Sequence, residues 1–406
     1  MRFAHIADVH LGAWREPKLQ ELNLETFRKA ISICIAEKVE FVIIAGDLFD
    51  TAMPPVEILK EAVSELKRLK DNNIACYVIA GSHDFSVSGK TFLDVIEKAG
   101  LCTNISKFSE RDLGNGDTLT VLELCEGSNC VFAGISGKKG GLETRKFKNL
   151  QLPPLHEHKD KVKLFLMHTT LTDAKPKELY FIESVDTEEL PDGFDYYAAG
   201  HLHIVFESSR KGKPVVYPGP LFPNNFQELE ELKQGSFCIV DIDNSKCKIE
   251  YKKLKLKEVI AIHVDVSGKN PEQATGAVLQ GISMHEIKDK ILALKISGII
   301  DGKTSDMDFD KIAAETADCY AMLKNTNSLT SSSMSIEIQT KSNNINDIEN
   351  EMISRYVKEE KEWDFIPFIN TMLHLDMEKQ EGETVVGFEA RVNDEAIKIL
   401  GLKEKM

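Results

Sequence analysis

FVIIAGD, residues Phe41 to Asp47, is a run of five apolar residues that stops at a glycine and a carboxylate. Its β-branched and aromatic content and its length mark a buried strand. The same ending recurs on both sides. Upstream, Arg2 to Ala7 reads as a strand, followed by Asp8 and His10 as Asp-x-His. Downstream, Ala75 to Ala80 reads as a strand, followed by Gly81-Ser82-His83-Asp84. Helical patterns separate the three. Leu19 to Lys38 carries Leu22, Phe27, Ala30, Ile31 and Cys34 near helical spacing. Pro54 and Pro55 open a second helix, which runs to about Lys70 through Ile58, Leu59, Ala62, Val63 and Leu66. Strands alternating with helices predict an α/β sheet.

Beyond residue 115 strands dominate. Thr118–Leu124, Asn129–Ala133, Lys163–Met167, Tyr196–Ala199, Pro214–Tyr217, Ser236–Ile242 and Lys248–Leu254 complete a two-sheet layered domain over residues 1–255. A second, smaller unit over 256–335 opens with a strand at Val259–Val266. A helix at Gln273–Leu279, a strand at Lys290–Ile296 and a helix at Phe309–Met322 follow. The Asn-, Ser- and Thr-rich stretch from Asn325 to Asn344 reads as loop or linker around a candidate short strand at Met334–Gln339, with 336–344 as linker. Residues 345–406 carry two helical apolar stripes, Ile345 to Val357 and Phe365 to Leu373. They suit either a tail docked on its own domain or a helix pair that grips a partner protein.

Composition excludes several classes. The 406 residues are 42% hydrophobic and 28% charged, which is ordinary globular material. The longest apolar runs fall far short of the roughly 18 residues of a membrane span. No basic segment followed by an apolar one opens the chain, so a secretory leader is not expected. Eight cysteines without CxxC or finger spacing argue against a disulfide scaffold and for the cytoplasm. Cys34, Cys76 and Cys102 sit in apolar surroundings and read as reduced core thiols. A net charge of −15 opposes a general basic coat but leaves room for local basic patches.

The chemistry lies at the strand ends. Asp8 and His10, Gly46-Asp47, Gly81-Ser82-His83-Asp84, His168, and His201 with His203 after Gly200 each sit where an apolar β run stops. That gathers them at the carboxyl edge of a sheet, where α/β proteins build their sites. One histidine at a strand end is ordinary structure, and Gly-Asp alone is a turn signal. Five such elements in order are not explained as turns. Imidazole and carboxylate together suit Mn, Fe, Zn or similar divalent ions. Two ions about 4 Å apart form a clamp for phosphoryl transfer and sharpen a bound water into a nucleophile.

The order Asp-x-His, Gly-Asp, Gly-x-His-Asp, His, Gly-His-x-His resembles the calcineurin-like metallophosphoesterase superfamily. IADVHLG (Ile6 to Gly12), AGDLFDTAMPP (Ala45 to Pro55), AAGHLH (Ala198 to His203) and Tyr217-Pro218-Gly219-Pro220 resemble one branch, the SbcD / meiotic-recombination-eleven nucleases of DNA double-strand-break repair. The resemblance is strong over residues 1–255. It implies a two-sheet αββα sandwich with a smaller α+β capping domain and a helical C-terminal tail.

It also implies roles. Asp8, His10 and His203 would hold one metal, Asp47 would bridge, and His168 and His201 would hold the second, the ions most commonly being Mn. His83 would act on the scissile phosphate, with Asp84 as its candidate orienter. Where the family carries Asn, this chain has Ser82, a shorter neutral ligand that bears on the affinity and identity of the second metal. Where some members carry His, it has Asp50. The implied partners are DNA ends, an SMC-like ABC ATPase of the SbcC type gripped by the tail, and a second copy in a homodimer.

Three basic clusters are candidates for phosphate contacts: Lys138 to Lys148, the turn at Arg210, Lys211 and Lys213, and Lys246 to Lys257. Two other functions fit less well. A phosphodiesterase for small molecules or proteins would not need the segments after 255. A DNA-delivering scaffold weakened at Ser82 would not need so complete a ligand set.

Overall fold

The computed structural model describes residues 1–86, 89–114, 117–177, 182–243, 246–332, 387–388 and 391–394. Met1–Ser331 form one compact unit and Ser332–Met406 a second. The short strand expected at Met334–Gln339 and both tail stripes lie outside the described residues. Among the described residues no helix is long and apolar enough to cross a membrane.

The chain begins with β1 (Arg2–Ile6), α1 (Pro17–Ala36), β2 (Phe41–Ala45), α2 (Val56–Asp71), β3 (Ala75–Ile79), α3 (Phe92–Lys98) and β4 (Thr103–Asn104). A hairpin, β5 (Phe108–Asp112) and β6 (Thr118–Leu122), precedes β7 (Cys125–Glu126), β8 (Cys130–Ile135), α4 (Thr144–Lys148) and β9 (Leu150–Gln151). Then come β10 (Val162–His168), β11 (Tyr196–Gly200), β12 (Val205–Arg210), β13 (Lys213–Pro218), α5 (Phe226–Leu232), β14 (Gly235–Asp243) and β15 (Lys246–Leu254).

Two six-stranded sheets result, ordered β15-β14-β1-β2-β3-β4 and β12-β13-β11-β10-β8-β7. Each has a parallel centre with antiparallel strands at an edge. Period-two alternation explains why the central strands read as unbroken apolar runs. Phe3, Phe41 and Ile43 face Phe132, Leu164, Leu166 and Tyr196 of the second sheet. Ala4, Ile6, Val42 and Ile44 face α1 and α2 through Phe27, Ala30, Ile31, Ala62 and Leu66. The outer face of the second sheet is covered by α4 and short 3-10 turns rather than long helices, through Phe147, Leu171 and Leu190.

The third part comprises β16 (Val259–Asp265), α6 (Pro271–Ser283), β17 (Ile291–Ile300), α7 (Phe309–Glu315), β18 (Ala321–Asn325) and β19 (Leu329–Ser331), an all-parallel sheet with its own core. It packs on the first two sheets' domain where Val259, Ile291 and Ala321 meet Leu19, Leu22, Phe222 and Leu229. The helix expected at Phe309–Met322 ends at Glu315. Ala321 and Met322 instead pair with Ile291 and Leu292. The apolar spacing was misleading because those residues fill a sheet face.

The eight cysteines are free, and burial pushes the Cys34 and Cys102 thiols up to about 12. His5 is a fully buried core residue between the sheets, its Nδ1 2.9 Å from the Tyr196 hydroxyl. Burial pushes its pKa down to about 3, so the folded chain holds it neutral. Below pH 6.5 the unfolded chain takes up a proton the folded chain refuses, so this share of stability is complete above that pH and is lost as pH falls toward 3. The loss is about 2 kcal/mol by pH 5. His5→Phe is expected to remove that increment from the difference between urea midpoints at pH 7 and pH 5. Equal pH slopes in parent and variant would refute the assignment.

Candidate metal centre

The loops after β1 and β2 keep hydrogen-bonding past their strand ends: Asp8 N–H donates to Gly46 O (3.2 Å), His10 N–H to Asp47 O (2.9 Å) and Leu11 N–H to Leu48 O (3.0 Å). The turns that carry the candidate ligands contain left-handed backbone. Asp8, His10, Asp47, His201 and His203 have φ of 51°, 45°, 51°, 106° and 52°. They are five of the ten non-glycine residues with positive φ among the described residues. Such residues cost about 1 to 3 kcal/mol each and gather at functional sites.

Two ligand sets form at this edge. Asp8, His10 and His203 bring one ligand atom each within 4.8 Å of one another, and so do Asp47, His168 and His201. Asp47 Oδ2 lies 3.0 Å from His168 Nε2 and 3.5 Å from His10 Nε2, so one carboxylate reaches both sets. Asp8 accepts the His201 backbone N–H at 2.9 Å, and Asp47 Oδ1 accepts that of His83 at 2.7 Å.

The tautomers show what the site would accept. His10 Nδ1–H donates to Asp50 Oδ1 (3.2 Å), and His203 Nδ1–H donates to Glu228 Oε1 (2.9 Å). With both protons spent on carboxylates, the two Nε2 atoms face each other 3.0 Å apart as bare acceptors. In the other set His168 Nδ1–H donates to Ala45 O (2.9 Å), and its Nε2 faces His201 Nδ1 at 3.3 Å. The facing His10 and His203 acceptors are satisfied by a cation or a proton, and the donor types of both sets fit a divalent ion.

Electrostatics agree. Burial raises the Asp47 carboxyl, but His168 outweighs it and holds it well below the carboxylate range. Burial lowers His168, but Asp47 and Asp8 outweigh it and push the ring up to about 10. Burial works against His203 too, and Asp8 and Glu228 push it up to about 9. Burial and then His168 push His201 down to about 3. A divalent cation held here would compete with protons for the His168 and His203 rings.

Asp84 does not touch the His83 ring in the way expected of an orienter. Its buried carboxylate accepts backbone N–H groups from Phe49 (3.0 Å), Gly81 (2.8 Å) and Leu48 (3.3 Å), bracing the Asp47 loop. Burial and then Asp47 push its pKa up to about 6. His83 is oriented by Asp50 instead, donating from Nδ1 to that residue's carbonyl at 2.7 Å. His83, Ser82, His201, Lys138 and Lys139 line a cleft of about 760 Å³ over the ligand sets.

Of the basic clusters, only part faces this cleft. Lys146 is buried, paired with Glu110 and set over the Phe108 ring. The Arg210 turn lies at the opposite edge, because β13 runs parallel to β11 and begins at Lys213. Its charges pair with Glu188, Asp192 and Asp195. Within the third cluster, Lys252 pairs with Glu37 and Glu250 and Lys257 with Asp289.

Glu228 was not singled out in the sequence. Its signal there, Asn225 three residues earlier, is that of a helix start, and the cap exists: Glu228 N–H donates to Asn225 Oδ1 at 2.9 Å.

Comparison with known proteins supplies the class. The calcineurin-like phosphoesterase family model matches residues 1–205. The chain is 26% identical over 378 residues to the DNA double-strand break repair protein Mre11 of Sulfolobus acidocaldarius, covering 88% of this chain and 90% of that one. It is 29% identical over 285 residues to the protein of that name from Methanopyrus kandleri, covering 67% and 61%. The Sulfurisphaera tokodaii protein of that name is 34% identical over 204 residues, covering 49% and 48%. The chain thus spans from about half to nine-tenths of the length of these curated relatives.

Proposed function

Because the chain belongs to the calcineurin-like phosphoesterase family, whose model matches residues 1–205, we propose that it hydrolyses DNA phosphodiesters at double-strand ends as a Mn-dependent exonuclease and endonuclease. The observation that carries the reading is the pair of ligand sets joined by Asp47 beneath a cleft lined by His83, Lys138 and Lys139. The printed names of the relatives point to broken DNA as the substrate.

In this reading Asp8, His10 and His203 would hold one ion, His168, His201 and Ser82 the other, and Asp47 would serve both. Bound there, two divalent ions neutralise phosphoryl charge and activate water. The chain's own residues do the rest. As an imidazolium, His83 keeps its Nδ1 proton on the Asp50 carbonyl and would give its Nε2 proton to the departing sugar oxygen, leaving the neutral ring. Asp47 and the His83 main chain are tied at 2.7 Å, so acid and ion site move as one. The exposed Lys138 and Lys139 hold flanking phosphates without reading sequence.

The assignment of residues 256–335 as a cap that contacts DNA, of 345–406 as the grip on an SbcC-type SMC-like ATPase, of a homodimer and of a cytoplasmic setting belongs to the same proposal. Free, buried cysteines support that setting.

End-labelled linear duplex incubated with Mn²⁺, Mg²⁺ or EDTA tests it. His83→Ala is expected to lower kcat by about 10² to 10⁴ while leaving the Mn²⁺ binding isotherm unchanged, because His83 is outside both ligand sets. A folded, Mn²⁺-loaded wild-type chain that leaves the duplex intact would overturn the stand-alone nuclease.

A further inference from the structure

The two ligand sets differ in what stands behind them. Behind the first stand two carboxylates, Glu228 on His203 Nδ1–H at 2.9 Å and Asp50 on His10 Nδ1–H at 3.2 Å. Behind His168 of the second stands a neutral carbonyl, Ala45 O.

Glu228 is built into place. Its Oε2 accepts Asn224 N–H at 2.8 Å, and its Oε1 accepts from Asn225 Nδ2 at 2.5 Å. Its carboxylate therefore meets the imidazole without a further loss of rotamer freedom. A carboxylate on the outer nitrogen fixes the ring and makes the inner nitrogen a stronger donor, and such partners are worth about 10- to 100-fold in metal affinity.

We infer that the Asp8, His10 and His203 set is the tight divalent-cation site, filled first, and that Glu228 and Asp50 make it so without touching the ion. The Asp47, His168 and His201 set, with Ser82 as its neutral neighbour, is the weak site and fills second. The inference rests on the metal reading above. Glu228 and Asp50 are positioning residues.

His10, Asp50 and His83 also bring ligand atoms within 4.8 Å of one another, which could suggest a third ion. A neutral imidazole has one lone pair. With His10 Nε2 on the first ion, its Nδ1 carries the proton and donates to Asp50, so this trio is a support rather than a site.

Mn²⁺ titration of the full chain, with the free ion followed by electron paramagnetic resonance, reads both classes of site. The wild type is expected to show two classes at least about tenfold apart. Glu228→Gln keeps the shape and an acceptor oxygen but drops the charge. It is expected to weaken the tight class about tenfold or more and to move the weak class by less than about twofold. Asp50→Asn is expected to act in the same direction.

Melting in EDTA checks that each variant folds, and if Glu228→Gln does not, Asp50→Asn carries the test. Two equal classes in the wild type would overturn the inference and leave the nuclease reading standing. An unchanged tight class in the folded variants, or both classes weakened equally, would also overturn it. A wild-type chain that binds no Mn²⁺ would overturn the nuclease reading and this inference together.

Discussion

Asp47→Ala is expected to lower duplex cleavage at saturating Mn²⁺ by at least about a thousandfold, the rate equivalent of about 4 kcal/mol of lost transition-state stabilisation. Asp47 Oδ2 reaches both ligand sets, 3.0 Å from His168 Nε2 and 3.5 Å from His10 Nε2. Its Oδ1 also holds the His83 main chain. The variant therefore loses the bridge, the pairing partner of His168 and the tether of the proposed acid in one change. Rate measurements beside a Mn²⁺ isotherm separate these effects. Both classes of site should weaken, unlike in His83→Ala. Cleavage within tenfold of wild type would show that Asp47 bridges nothing.

Gly46→Ala is expected to damage folding severely. Gly46 has φ of 91°, and a Cβ there would lie 2.1 Å from His168 Nδ1 and 2.5 Å from its Cγ. His168 is fully buried and hydrogen-bonded to Ala45 O, so the ring cannot step aside cheaply. The cost combines a left-handed alanine with an overlap in a packed core, about 3 kcal/mol or more. It should appear as a lower urea midpoint in EDTA, before any ion is involved, with the second ligand set displaced. An unchanged midpoint would mean that the loop after β2 is softer than its contacts imply.

The histidines and aspartates were legible because each follows an apolar β run, and strand ends are local signals. Parallel pairing then brings Ala45 of β2 beside β3 and sets β10 beside β11, which places loops far apart in sequence on one edge. The residues that orient them were less legible. Glu228 reaches His203 only after the β12–β13 hairpin carries the chain back across the sheet, and its local pattern says helix cap. Asp84 adjoins His83 in sequence, which suggested a partnership, but its carboxylate is needed by three backbone donors of the turn it braces. Lys146 and Arg210 fell in basic clusters that read as candidate phosphate contacts. Both are buried by partners supplied from elsewhere, Glu110 with Phe108 for one, Glu188 with Asp192 for the other. The helix drawn through Met322 failed for a related reason. Spacing near 3.6 cannot tell a last helical turn from the strand that follows a short loop.

The left-handed backbone at Asp8, His10, Asp47, His201 and His203 bears on how variants of this chain should be chosen. At about 1 kcal/mol or more apiece, the five together hold roughly 5 kcal/mol, comparable with the net stability of a typical domain. Residues that adopt this conformation at little cost, glycine above all, would return part of that sum. A library ranked by heat resistance would accordingly enrich chains that have discarded their ligands. Thermostabilisation of this scaffold needs ion binding, not melting alone, as the property under selection.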